Sequence, residues 1–196
     1  EGNLMTSSQV IQRNFLEHAQ SVEATKGALS ELILIASKVL AQSLLNGGTV
    51  FWCGNGGSAS DSQHMAAELV GRFKRNRRPL RSMALNADTS VLTCVANDFS
   101  YENIFSRQLE AHGRSGDILV GISTSGQSEN ILKALKTAKD MGIATIGLLG
   151  KGGGDALVQV DHALVVPSDT TARIQESHIL IGHILCELIE IELGIS

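Results

Sequence analysis

Residues 116–128 read GDILVGISTSGQS: an apolar run over Asp117–Ile122, four hydroxyl side chains (Ser123, Thr124, Ser125, Ser128) around Gly126, then a helical pattern. A short run that is apolar at consecutive rather than alternate positions is a strand covered on both faces. Four further runs share that character: Thr49–Cys53, Ser82–Leu85, Ala144–Leu149 and His162–Val166. Segments of helical spacing separate most of them. Strands buried on both faces and alternating with helices imply an α/β fold: a doubly wound, five-stranded parallel sheet of flavodoxin-like type, flanked by helices. Upstream, Val10, Ile11, Phe15, Leu29, Leu32, Ile33, Ile35, Leu40 and Leu44 recur at helical spacing. Thr25-Lys26-Gly27 predicts a break into an N-terminal helical pair, and Asn46-Gly47-Gly48 a stop. One domain over 1–196 is expected, with helices over about 8–46 and the α/β core over about 49–193.

The last helical segment, Thr171 to Leu193, leaves few positions for a water-facing stripe. A helix apolar nearly all round is buried on several sides, so a homo-oligomer is expected. Charged residues are only 18% of the chain, which also suggests surface buried between subunits. Aromatics at 4% and a net charge of −4 argue against a nucleic-acid partner. An apolar content of 43% excludes disorder, and no uninterrupted apolar run is long enough for a membrane span. Cys53, Cys94 and Cys186 lie far apart without a C-x-x-C, which fits a reducing compartment. With no signal peptide in view, a cytoplasmic protein is expected.

Two loops at strand ends carry chemistry. Cys53-Gly54-Asn55-Gly56-Gly57-Ser58-Ala59 follows a strand and opens a helix, so that backbone amides can approach a ligand closely. It formally matches the dinucleotide fingerprint G-x-G-x-x-A, but no acidic residue stands where a ribose would need it. The bland alternative is a tight strand-to-helix turn. The loop over Gly121–Ser128 resembles a P-loop whose lysine is replaced by Gln127, which argues against nucleotide chemistry. Its hydroxyls at a helix N-terminus suit one phosphate monoester; the alternative is a cluster of capping serines. A third glycine cluster, Gly150–Gly154, has no legible role. The basic run Lys74, Arg75, Arg77, Arg78, Arg81 reads as a solvated segment.

After the first loop, Asp61, His64, Glu68 and Arg72 fall within about 80° on one helix face. His64 and Glu68, four residues apart, can reach one metal or one substrate carbon, or form an ordinary surface ion pair. A carboxylate near an apolar sheet edge can have a raised pKa and shuttle protons. On the apolar final helix, Gln175 and His183 share a side, with His178 a competitor. Two His, one Glu and one Gln make a nitrogen and oxygen set suited to zinc or another divalent metal.

Taken together, CGNGGSASDSQHMAAELVGRF (53–73), ALNADTSVLTCVANDF (84–99), GDILVGISTSGQS (116–128), GKGGG (150–154) and VPSDTTARIQESHILIGHILC (166–186) resemble the sugar isomerase (SIS) domain family, and within it the phosphoheptose isomerases. The similarity runs from about Phe15 to Leu193. It implies a homotetramer with sites between subunits. The reaction implied is conversion of sedoheptulose 7-phosphate to D-glycero-D-manno-heptose 7-phosphate, a precursor of the ADP-heptose in lipopolysaccharide core. By resemblance, Ser58, Ser123, Thr124, Ser125 and Ser128 hold the phosphate. Asn55, Gly56, Gly57, Asn97, Asp98 and Gln175 line the sugar, with Arg72 and Asp61 nearby. Glu68 is the catalytic base, also in contact with substrate, and His183 its partner acid. His64, Glu68, Gln175 and His183 match the family's zinc ligands, one ion per subunit, and no nucleotide is needed. Two rivals remain: a non-catalytic adaptor resembling the DnaA initiator-associating protein, and an isomerase of another phosphosugar. Against the adaptor, this sequence carries both Glu68 and His183.

Overall fold

A computed structural model describes residues 5–194. The elements in chain order are α1 (Ser7–Leu45), β1 (Val50–Gly54), α2 (Gly57–Val70), β2 (Ser82–Ala84), α3 (Thr89–Asp98), α4 (Ser106–His112), β3 (Ile118–Ser123), α5 (Glu129–Asp140), β4 (Ala144–Leu149), β5 (His162–Val165) and α6 (Thr171–Glu192). Short 3₁₀ turns lie at Tyr101–Asn103 and Lys151–Ala156. All five strands are parallel, in the order β2-β1-β3-β4-β5. This is the doubly wound order whose direction of build reverses between β1 and β3, where such sheets bind ligands beyond the strand ends.

β1, β3 and β4 are buried almost throughout because each face of the sheet meets its own core, while the edge strands β2 and β5 are only partly covered. Val50, Trp52, Ile118, Val120, Ile146 and Leu148 point to α1, α2 and α6. Phe51, Cys53, Leu119 and Leu149 point to α3, α4 and α5. The pleat sends alternate residues to opposite faces, so a strand sandwiched between two helical layers needs apolar side chains at every position.

The N-terminal helical pair is a single helix instead. α1 runs 39 residues without interruption and starts on a capping box, Thr6 with Gln9. Thr25 and Leu29 on either side of Gly27 are buried, and a Cβ on Gly27 would meet nothing within 4 Å. One exposed glycine costs a helix about 1 kcal/mol, and packing against α6 outweighs that. α1 also contains an 18-residue window of mean hydropathy 1.6, apolar enough to cross a membrane by length and composition. In the fold, Leu29, Ile33, Ala36, Leu40 and Leu44 of this helix are covered by the core beneath it.

Candidate active site

The GNGGS loop and the hydroxyl loop leave β1 and β3, which pair directly with Gly54 opposite Ile122. Gly56 takes φ +58° at the N-cap of α2, and Gly54 passes so close to Ser58 that a Cβ would lie 2.5 Å from its carbonyl oxygen. Glycine at both places lets the chain turn sharply and present its amides outward. The two loops are tied together by Asn55 and Asn130, whose carboxamides exchange two hydrogen bonds of 2.9 Å. The Tyr101 hydroxyl donates to the same Asn55 oxygen at 2.9 Å.

In the hydroxyl loop, the amide of Gly126 donates to Ser123 Oγ at 3.0 Å and that of Gln127 to Ser125 Oγ at 3.2 Å. A hydroxyl that accepts an amide keeps its own proton to donate elsewhere. Ser128 occupies the N-cap of α5 without bonding the amides of its own helix, and its Oγ lies 3.4 Å from that of Ser123. The capping-serine alternative therefore loses its main support, and the hydroxyls gather where a positive helix end favours an anion.

The Gly150–Gly154 cluster acquires a structural role that spacing could not show. Gly126 (φ +65°) presses onto Gly153, and Gly154 onto Ser125, with backbone contacts where any Cβ would collide. Ala156 donates its amide to the Gly126 carbonyl at 3.0 Å. Gln127 faces Asp155, and with its carboxamide oriented to satisfy both groups it donates to Oδ2 at 2.9 Å and accepts from the Asp155 amide at 3.3 Å. The glycine cluster is the buttress of the hydroxyl loop.

On the α2 face, His64 Nε2 lies 3.0 Å from Glu68 Oε1, and 3.5 Å from His183 Nε2 of α6. One ligand atom from each of His64, Glu68 and His183 lies within 4.8 Å of the others, close enough to share one cation. Burial pushes the Asp61 carboxyl up, while the neighbouring His64 and His183 pull it back. Gln175, the fourth expected ligand, lies against the first loop: a Cβ on Gly57 would come within 2.7 Å of its Nε2. His183 is further held by the Phe73 ring, stacked at 5.5 Å between centroids and 18° between planes. The competitor His178 is fully buried, its Nε2 hydrogen-bonded to the Leu149 carbonyl at 2.9 Å, and burial lowers its pKa to about 4. It is a neutral core histidine.

Three further expected residues stand at the surface. Asn97 and Asp98 are exposed at the end of α3, where the Asn97 amide donates to Asp98 at 2.8 Å. Arg72 is exposed and makes no hydrogen bond or ion pair among the described residues. The basic run is not wholly solvated: the Arg77 side chain is 2% exposed and pairs with Glu190 at 2.9 Å. The only hint in the sequence is Glu190, a carboxylate on a largely apolar helix, which if buried needs a cationic partner. Phe73, Asn130 and Tyr101 gave none.

The SIS domain family model matches residues 14–150. A phosphoheptose isomerase of Nitratiruptor is 52% identical over 180 residues, covering 92% of this chain and 96% of its own. The solved phosphoheptose isomerase of Francisella tularensis superposes with a TM-score of 0.92 at 41% identity, over 94% of this chain and 98% of that one. That of Neisseria gonorrhoeae gives 0.90 at 40% identity, over 94% and 99%.

Proposed function

The chain belongs to the SIS domain family, and we propose that it is an aldose–ketose isomerase interconverting sedoheptulose 7-phosphate and D-glycero-D-manno-heptose 7-phosphate, on the route to the ADP-heptose of lipopolysaccharide core. The observation that carries this is the meeting of Glu68 and His183, from separate helices, within 4.8 Å, with Glu68 on the helix that the first glycine loop opens. The relatives named phosphoheptose isomerase, matched over nearly their whole length, set the substrate class. No feature favours the adaptor alternative.

The phosphate is held by the hydroxyls of Ser123, Thr124, Ser125 and Ser128 at the α5 N-terminus, with Ser58 at the first loop. This remote anchor supplies orientation, which the reacting carbons need and cannot provide themselves. Asn55, Gly56, Gly57 and Gln175 line the sugar. In the ketose-to-aldose direction, Glu68 takes a proton from C1 of the open chain while O2 is protonated, giving a cis-enediol. The O1 proton then leaves, and C2 receives a proton from Glu68. His183 gives and takes the proton at the oxygens. Such general acid–base help is worth about 10² to 10⁴-fold.

His64, Glu68 and His183 fit a divalent cation by their mixed nitrogen and oxygen donors and mutual closeness, and Gln175 is the fourth ligand the family resemblance implies. Zinc is the ion the family resemblance implies; bound there, it would act as a Lewis acid on the substrate oxygens. Asn97, Asp98 and Arg72 are exposed, and further surface brought against them would complete a site. A homotetramer provides that surface. In its favour, Phe15, Leu16, Leu34 and Ile35 of α1 and Leu180 and Ile184 of α6 are exposed. A cytoplasmic location follows from the phosphorylated substrate.

The test is an assay of C5 to C7 ketose phosphates with purified protein. The proposal expects the heptulose phosphate to be isomerised with the highest kcat/KM. Preference for a pentulose or hexulose phosphate would replace the substrate, and no isomerisation of any would replace the function.

A further inference from the structure

The segment that follows α2 is basic, irregular and mostly exposed, yet one carboxylate organises it. Glu190, with a side chain 1% exposed, accepts the consecutive amides of Phe73, Lys74 and Arg75, each at 3.1 Å. It also accepts Arg77 Nε at 2.9 Å. The same guanidinium reaches back to α2, where Nη2 donates to the Glu68 carbonyl and Nη1 to the Leu69 carbonyl, both at 2.9 Å. Helix-end carbonyls have no partner within their own helix, so Arg77 is a side-chain cap on the last turn of α2. Glu68 stands on that turn. Glu190 lies seven residues after His183, two turns along the same helix. Between them, Phe73 carries its amide on Glu190 and its ring on His183. Burial pushes the Glu190 carboxyl up, but three amides and the guanidinium outweigh it and hold it below the usual carboxylate range.

A carboxylate near a helix C-terminus opposes the helix dipole, and a buried one adds a desolvation cost. An apolar residue at position 190 would serve packing better. We infer that the Glu190–Arg77 pair is a positioning device for the reaction, holding the Glu68 turn of α2 and the Phe73–His183 stack in register with each other. This rests on the roles proposed above for Glu68 and His183. Neither Glu190 nor Arg77 touches the reacting atoms. Their removal misplaces groups that do, and a displacement near 1 Å can cost about 10²-fold in rate.

The test compares Glu190→Gln, Arg77→Lys and Phe73→Leu with the parent protein at a temperature well below every melting transition. Kinetics are combined with the His183 imidazole signals in heteronuclear NMR. Arg77→Lys keeps the ion pair but cannot reach two carbonyls with one planar fork, so it remains informative if Glu190→Gln folds poorly. We expect kcat to fall about 10- to 100-fold in both pair variants with KM changed less than about threefold. The His183 ring signals are expected to lose their Phe73 ring-current shift, as in Phe73→Leu. Wild-type kcat and unchanged His183 signals in a folded Arg77→Lys variant would overturn the inference, leaving the pair a stabilising element only. If Glu68→Gln, run alongside, keeps full turnover while the His183 signals still move, the base assignment fails and the pair's hold on the cluster stands.

Discussion

Replacing Gly126 by Ala separates the phosphate-loop account from a general loss of fold. The residue sits at φ +65°, where a side chain costs about 1–2 kcal/mol. Its new Cβ would also lie 1.9 Å from the Gly153 carbonyl oxygen and 2.5 Å from the Gly153 carbonyl carbon. Both partners are backbone, so the hydroxyl loop and its glycine buttress must move apart, at a further cost of about 1–3 kcal/mol by analogy with overpacking. Gly152→Ala is the control. Gly152 has φ +77° but open space around it, so the same substitution incurs the conformational cost alone. The difference in unfolding free energy between the two variants, read from denaturant titrations, should therefore be about 1–3 kcal/mol. Because Ser123 and Ser125 are aligned through Gly126 and Gln127, Gly126→Ala should also raise KM for the phosphorylated sugar at least about tenfold. Gly152→Ala should leave it near the parent value. Equal stability of the two variants, with KM unchanged in both, would refute the contact between the loops as the source of the phosphate site's shape.

Gly57→Ala pushes its Cβ to 2.7 Å from Gln175 Nε2, the far end of a flexible side chain. Stability should change by less than about 1 kcal/mol while kcat/KM falls about tenfold, a split that paired melting and kinetic measurements detect. His178 sets an acid limit. Its pKa is lowered from 6.5 to about 4 in the fold, so the folded chain binds fewer protons there than the unfolded chain. The resulting stability is complete above about pH 6.5 and is lost as pH falls through 4, amounting to about 3 kcal/mol. His178→Gln should flatten that stretch of the stability–pH curve relative to the parent protein.

The sheet is legible in the sequence because a parallel strand covered on both faces can hardly be anything but continuously apolar, and all five runs fall where the strands lie. The convergence of His64, Glu68 and His183 is legible only in halves. Helical spacing places His64 beside Glu68, but the approach of His183 depends on how α6 packs on α2. Gly27 misled for a simple reason: the cost of one glycine is local, whereas the burial that keeps α1 continuous comes from α6. The glycine cluster at Gly150–Gly154 was opaque because its role is to yield space to another loop, which leaves no chemical signature. Arg77 was hidden among solvated neighbours of identical charge. Its buried partner stands more than a hundred residues later in the sequence.

The central claim is that the Glu68 carboxylate carries the proton between C1 and C2, and hydrogen-isotope tracing tests it most directly. With C1-deuterated heptulose phosphate, the parent protein should either deliver the label to C2 or exchange it with solvent during turnover. A Glu68→Gln variant that folds and assembles like the parent should do neither, with turnover reduced by at least about 10²-fold. Label transfer or exchange at the parental rate in that variant would contradict the account.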